Sequence, residues 1–168
     1  MIPRQTMRER LLTLPQSPFL LPHCTIRQNL NPFALAMSDT HIFGILAKLN
    51  LATLISNLPS SLDTSTSAAT FSIGQKQLLC LARVILRHQH GGPGRRVLVM
   101  DEATASLDLE TDKVVQRVLR EEVFGHGMTV LAVAHRMEGV RDFDCFVEVG
   151  EGRVKDVRGS VEKGKGSR

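Results

Sequence analysis

The sequence predicts an α/β fold with a mainly parallel sheet, flanking helices and an inserted helical subdomain. Two short apolar runs, residues 97–100 and 129–134, are typical of strands buried on both faces of a parallel sheet. The first run ends on Asp101 and Glu102, and the second ends on His135. Because open α/β sheets bind ligands at the carboxyl ends of their strands, we expect these side chains to share one edge. Together they suit a metal-bound phosphate and an attacking water. Taken singly, the acid pair could instead cap a helix and His135 could be a buried structural histidine.

The composition is that of one soluble globular domain. The chain has 168 residues, of which 42% are hydrophobic, and this is enough for a real core. No apolar run approaches the roughly 18–20 residues that cross a bilayer, and no signal-peptide core follows the arginines of the first ten residues. The three cysteines are widely spaced, so we expect reduced cytosolic thiols and neither disulfides nor zinc ligands.

The positive charge is concentrated at one end of the chain. The formal net charge is +4, and residues 151–168 contain six Lys or Arg against three acids, which accounts for +3 of it. The body of the chain is therefore nearly neutral. This argues against a nucleic-acid partner and favours a solvated basic tail, with contact to a membrane surface as the alternative.

The first predicted strand covers residues 10–14 and is stopped by Pro15. Gln16 follows directly, at the position where a strand end can contribute to a site, although a glutamine in a loop can also be merely solvated. The next segments predict helices in chain order: one turn at residues 25–30, a helix capped by Ser38 that runs to about Asn50, and a short helix at residues 51–58. Residues 60–70 form a polar loop, and this block without strands predicts the inserted helical subdomain.

A strongly apolar helix is predicted over residues 78–86, and the segment that leads into it can bind phosphate. Ser72 is a good N-cap, and Gly74 allows backbone amides to approach a bound group closely. A helix N-terminus of this composition attracts anions, although the Ser-x-Gly-Gln pattern is weak evidence by itself. Residues 88–96 are expected to be a surface loop without a function.

The rest of the chain alternates between helix and strand. We expect a helix over residues 110–124, the strand that ends at His135 and a short helix to residue 140. A hairpin of residues 145–149 and 153–157 is expected to turn at residues 150–152.

Four motifs in this order resemble the ATPase domain of ABC transporters. They are Gln16 after a strand, FSIGQKQLLCLAR, VLVMDEATASLDLETD and TVLAVAHR. The stretches TIRQNLNPF and LLCLAR look most like the second nucleotide-binding domain of the C, or multidrug-resistance-associated, subfamily. The resemblance covers about residues 8–157. It implies a P-loop NTPase-like fold and ATP hydrolysis that drives transmembrane transport.

The resemblance assigns the hydrolysis chemistry to four positions. Glu102 matches the general base, and Asp101 matches the Walker B aspartate that holds Mg²⁺ through water. Gln16 is similar to the Q-loop glutamine, which touches both the Mg²⁺ and the attacking water. His135 matches the switch histidine that donates to the γ-phosphate of ATP.

A second group of positions resembles the elements that cross between two such domains. Ser72, Gly74 and Gln75 match the signature, which contacts the γ-phosphate of ATP bound to the opposite domain. Ser106, Leu107 and Asp108 match the D-loop at that interface, where Asp108 is a candidate nucleotide-binding residue. The implied partners are a second nucleotide-binding domain and transmembrane domains, at the cytosolic face of a membrane.

The sequence also departs from the family pattern. It contains no GxxxxGK[ST] phosphate loop, and it has no Tyr or Trp to stack on adenine. We therefore expect an N-terminally truncated domain that lacks the front strands and the Walker A loop and is inactive alone. Phe71 is unusual in the signature, and residues 65–70 lack the Gly-Glu pair that often meets transmembrane domains.

The expected organisation is a partial ATPase domain over residues 1–157 and a tail at residues 158–168. Within the domain, residues 21–78 are the helical subdomain and residues 79–157 the core. The alternative function is a non-catalytic remnant that acts only as an interaction or signature-supplying module. A DNA-repair or structural-maintenance ATPase is disfavoured because the helical insertion has no long coiled coil.

Overall fold

The computed structural model describes residues 3–91, 94, 96–104, 107–134 and 143–159. The chain divides into two compact units after Val133. None of the described helices is long and apolar enough to span a membrane. Four of the sequence predictions lie wholly or mostly outside the described residues: the short helix to residue 140, the placements of Ser106 and His135, and the basic tail at residues 158–168.

The first unit is built on a three-stranded parallel sheet in the order β1-β2-β3. The strands are β1 (Leu11–Leu14), β2 (Arg96–Asp101) and β3 (Met128–Val133). Leu14 lies opposite Met100, which in turn lies opposite Ala132, so the strands end almost level. The segments that follow β1 and β2 therefore leave the sheet at one edge. The predicted mainly parallel sheet is confirmed.

The sheet buries one face and exposes the other. The buried face presents Leu12 and Leu14 of β1 and Leu98 and Met100 of β2 to the hydrophobic core. On the opposite face the exposed fractions are 43% for Leu11, 38% for Val97, 61% for Leu131 and 51% for Val133. The prediction that the apolar runs are buried on both faces was therefore wrong for the described residues, because only the Leu12 face packs into the hydrophobic core. A continuous apolar run cannot reveal this, since both of its faces look alike in sequence.

The described elements between β1 and β2 are all helices joined by loops, as the sequence predicted, and one unpredicted helix precedes β1. The elements are α1 (Arg4–Arg10) before β1, then α2 (Ile26–Leu30), α3 (Asp39–Lys48), α4 (Ala52–Ser56), a 3-10 turn (Ser61–Asp63) and α5 (Ile73–His90). Thr25 and Ser38 cap α2 and α3 through their side chains. Each cap satisfies a backbone N–H that the first helical turn leaves without a partner.

Helix α5 forms the centre of the core, with nine residues between Gln77 and Leu86 buried. It runs further than predicted, since His88–His90 are helical rather than part of a loop. Arg96 explains the extension: its guanidinium donates to the carbonyl oxygens of His88, at 3.1 Å, and Gly91. These carbonyls would otherwise be unpaired at the helix C-terminus.

Helix α6 (Leu109–Glu122) follows β2 and packs its apolar side on the same core. Val115, Val118 and Leu119 are buried. The second unit contains the predicted hairpin, formed by β4 (Cys145–Gly150) and β5 (Arg153–Gly159). The division of the chain into a helical subdomain and a core at residue 78 stays a prediction.

Candidate functional site

Gln16 and Glu102 meet at the carboxyl edge of the sheet. Gln16 follows β1 after Pro15, and Glu102 follows β2 after Asp101. The Gln16 side chain donates from Nε2 to Glu102 Oε2 over 3.0 Å. Because a carboxylate only accepts hydrogen bonds, this contact leaves Oε1 of the Gln16 amide available as an acceptor or a metal ligand. The structure therefore brings together two of the three residues for which the sequence predicted a part in catalysis.

The backbone of Glu102 has an uncommon conformation that aims its side chain. Its φ angle is +44°, in the left-handed region that non-glycine residues rarely adopt. The Glu102 N–H donates to the carbonyl oxygen of Val133 over 3.0 Å, which ties the turn after β2 to the end of β3. Strained backbone of this kind is found at functional sites, although five other non-glycine residues in the described part of this chain also have a positive φ.

Asp101 is the last residue of β2 and lies on the exposed side of the strand. Its carboxylate is accessible to a ligand at the edge where Gln16 and Glu102 meet. Among the described residues no group of three or more His, Cys, Asp or Glu forms a ready metal cage. Mg²⁺ does not need one, because it keeps several waters and binds through one or two carboxylates and substrate phosphates. The oxygens of Asp101 and Gln16 fit this ion by their chemistry.

The N-terminus of α5 carries the Ser-x-Gly-Gln pattern in a capping box. Ser72 Oγ accepts from the Gln75 N–H at 3.1 Å, and Gln75 Oε1 accepts from the Ser72 N–H at 2.9 Å. The Ser72 hydroxyl proton can still be donated to an anion because the bond to Gln75 uses only its oxygen. A helix N-terminus with an exposed Ser72 suits a phosphate oxygen.

Gly74 leaves room at this helix end. A Cβ built on Gly74 would lie 3.6 Å from Thr111 Cγ2 and 3.8 Å from Ser72 Oγ, which are ordinary contact distances. The backbone therefore does not require glycine for steric reasons. The absence of a side chain instead leaves space at the first turn of α5 beside Thr111 and Ser72.

Asp108 has a structural task at the start of α6. Its Oδ1 accepts from the backbone N–H groups of Glu110 and Thr111, and its Oδ2 accepts from the Thr111 hydroxyl at 2.7 Å. The bonds from Thr111 hold the pKa of the Asp108 carboxyl below its usual value. Asp108 thus acts as an N-cap in this chain, and a nucleotide contact through it stays a prediction.

The sequence analysis missed the residues of α5 that anchor the loop carrying Gln16. Arg83 donates from Nε to the Asn29 carbonyl at 2.6 Å and from Nη1 to the Phe19 carbonyl at 3.1 Å. Burial lowers the pKa of the Arg83 guanidinium. The sequence signal was a polar residue inside the strongly apolar helix pattern, where a cationic side chain needs partners.

A parallel sheet with a Gln–Glu pair and an aspartate at its carboxyl edge is typical of α/β proteins that bind a ligand at that edge. The family profile described as "ABC transporter" matches residues 2–105 of this chain. The chain therefore belongs to the ABC transporter family, in the ATP-binding domain.

Named relatives agree with this assignment. Human ATP-binding cassette sub-family C member 4 is 38% identical over 152 residues, covering 89% of this chain and 11% of the relative. ABC multidrug transporter B of Aspergillus fumigatus is 42% identical over 153 residues, 91% of this chain and 10% of the relative. ABC transporter ecdL of Aspergillus rugulosus is 40% identical over 166 residues, 94% of this chain and 10% of the relative. The chain thus spans about a tenth of the length of the curated relatives that it matches.

Proposed function

We propose that this chain is the C-terminal part of a nucleotide-binding domain that binds ATP and hydrolyses it to drive transport across a membrane. The observation that carries the proposal is the hydrogen bond between Gln16 and Glu102. A carboxylate at the carboxyl edge of a parallel sheet, oriented by an amide, is the arrangement that a general base for water requires.

Glu102 is the base in this proposal. It accepts a proton from the attacking water, while Gln16 fixes the carboxylate by donating to one of its two oxygens. Phosphoryl transfer depends mainly on positioning and charge neutralisation, so the orientation of Glu102 matters as much as its basicity. His135 completes the group as a donor to the γ-phosphate, a role that rests on the family resemblance.

Asp101 and Gln16 are the residues that would hold Mg²⁺. The ion supplies charge neutralisation to the β- and γ-phosphates when bound. Asp101 contributes a full negative charge from the exposed side of β2, and Gln16 contributes its amide Oε1. Removing the charge of Asp101 should therefore weaken Mg²⁺-dependent binding more than it affects the base.

The N-terminus of α5 is proposed to serve a different nucleotide from the one at Glu102. Ser72, Gly74 and Gln75 would contact the γ-phosphate held by a second nucleotide-binding domain, with Asp108 close to that interface. The accessible Ser72 hydroxyl and the open turn at Gly74 support this role. The partners are therefore a second such domain and transmembrane domains, at the cytosolic face of a membrane.

The sequence has no GxxxxGK[ST], so the proposed site would need a phosphate loop supplied by another segment or chain. The exposed apolar face of the sheet supports an alternative function, a non-catalytic module that offers an interaction surface.

The test is to join a relative's phosphate-loop segment to this chain and to measure ATP turnover with the opposite domain present. Turnover that depends on Glu102 supports hydrolysis, and its absence in a folded complex supports the interaction module.

A further inference from the structure

We propose that Gln77 is a positioning residue, which holds the segment after β1 so that Gln16 reaches Glu102. Gln77 Nε2 donates to the carbonyl oxygen of Pro15 over 3.0 Å, and Pro15 immediately precedes Gln16. The consequence for catalysis rests on the proposed function, whereas the positioning itself can be measured in this chain alone.

The environment of Gln77 indicates that its amide is needed for this contact. Its side chain is only 2% exposed, in the most apolar part of α5. Its Oε1 is buried and has no hydrogen-bond partner among the residues that the structure describes, which costs free energy that an apolar side chain of similar size would avoid. Among the described residues, the bond to the Pro15 carbonyl is the only hydrogen bond of the Gln77 side chain.

The carbonyl of Pro15 is an effective point from which to fix Gln16. Proline fixes its own φ angle near −65° and has no N–H to continue the strand ladder, so the chain must turn away from the sheet here. Holding the carbonyl then sets the plane of the peptide bond that leads into Gln16. The Gln16 side chain reaches Glu102 from that fixed start.

Two further side chains on the same face of α5 bind the segment after β1 at a second point, the Phe19 carbonyl. Cys80 and Arg83 follow Gln77 at intervals of three residues, and both donate to the Phe19 carbonyl, at 3.5 and 3.1 Å. The segment that contains Gln16 is thus attached to one helix on either side of Gln16. Gln77 provides the attachment that is adjacent to Gln16.

The test compares the full chain with Gln77→Met and with Gln89→Met, the same substitution at an exposed position of α5. Methionine keeps the length of the side chain and removes the donor. The readout is hydrogen exchange of the Gln16 side-chain amide, measured by NMR with Glu102→Ala as the reference for a lost bond. Gln77→Met should speed this exchange about fivefold, as the loss of one hydrogen bond predicts, and Gln89→Met should leave it unchanged.

Exchange at Gln16 that is the same in Gln77→Met as in the parent would overturn the proposal. If Gln77→Met does not fold, the unsubstituted chain decides: a coupling across the hydrogen bond from Gln77 Nε2 to the Pro15 carbonyl carbon supports positioning, and no coupling refutes it. In the domain with its phosphate loop restored, Gln77→Met should lower kcat several-fold and leave KM for ATP unchanged. Faster exchange with an unchanged kcat would leave the positioning intact and contradict the proposed role of Gln16 in hydrolysis.

Discussion

Gln16 and Glu102 lie 86 positions apart in the sequence and are joined by a hydrogen bond of 3.0 Å. Their contact follows from the sheet, because parallel neighbouring strands deliver both residues to the same edge. Between them the chain inserts all of its helices from α2 to α5. The candidate site therefore depends on the insertion folding back so that β1 and β2 pair in register.

The first prediction concerns the affinity of this chain for ATP. Without a phosphate loop it lacks contacts that are charge-assisted and worth roughly 1.5–3 kcal/mol each. Losing three of them weakens binding by at least about 10³-fold, so Mg-ATP should bind no better than millimolar. Isothermal titration measures this, and micromolar affinity for the chain alone would contradict the account.

The second prediction concerns the exposed face of the sheet. Leu131 and Val133 are 61% and 51% exposed on β3, which is an edge strand among the described strands. An exposed apolar edge promotes association, so sedimentation should show concentration-dependent oligomers. Leu131→Lys should shift the chain towards monomer without lowering its melting temperature by more than a few degrees, because the side chain contributes little to the core.

Thr129→Lys is the matched control for this experiment, since it adds the same charge at an exposed position of the same strand. It should reduce association less than Leu131→Lys does. Equal effects would show that charge rather than the apolar contact governs the oligomer. A monodisperse parent chain would contradict the prediction itself.

Features of the fold and of the candidate site that depend on residues close together in the sequence could be predicted from it, and most of those that join distant residues could not. The N-caps Ser38 and Ser72 were predictable, and so was the inward face of α3. Both features depend on residues within one or two turns of the same helix. The Gln16–Glu102 contact was predictable as a shared edge, because strand ends and their order are visible in the pattern.

Long-range details were not predictable. The bond from Gln77 to Pro15 joins residues 62 positions apart, and nothing in the sequence distinguishes Gln77 from a solvated glutamine at another face of the helix. The last turn of α5 depends on Arg96 from the following strand. The exposure of Val97 and Leu131 depends on which helices cover the sheet, and an apolar run has no period that reports it.

The third prediction tests whether the glycine at position 74 serves the stability of the fold or the contact with a phosphate. Alanine fits beside Thr111 and Ser72 without a steric clash, and glycine is the weaker helix former. Gly74→Ala should therefore leave the free energy of unfolding unchanged or raise it by up to about 1 kcal/mol, as urea denaturation would measure. In the assembled pair of domains the same methyl group should reduce turnover. Destabilisation by Gly74→Ala would show that the glycine serves the fold.

The fourth prediction concerns pH. Burial lowers the pKa of His88, whose Nε2 lies 3.1 Å from the His126 carbonyl and whose buried Nδ1 has no partner in the described part of the chain. Because the pKa is lower in the folded chain than the usual ~6.5, the stabilising contribution is present above that pH and is lost as the pH falls towards the folded value. Unfolding at pH 7.5 and 5.5 should show lower stability at 5.5.

His88→Gln is the control for this pH effect. Glutamine can donate to the His126 carbonyl but does not titrate, so the variant should lose less stability than the parent between pH 7.5 and 5.5. The same loss in parent and variant would assign the effect to other groups.

The central claim is that Glu102 is the base for ATP hydrolysis, and its most direct test is turnover by Glu102→Gln. The measurement uses the domain with its phosphate loop restored and its partner domain present, with nucleotide binding followed in parallel. Glutamine keeps the size of the side chain but cannot take a proton, so turnover should fall by ~10²–10⁴-fold while ATP still binds. Asp101→Asn is the matched comparison and should instead weaken Mg²⁺-dependent binding. Turnover at the parent rate in Glu102→Gln, together with normal binding in Asp101→Asn, would contradict the account and favour the non-catalytic module.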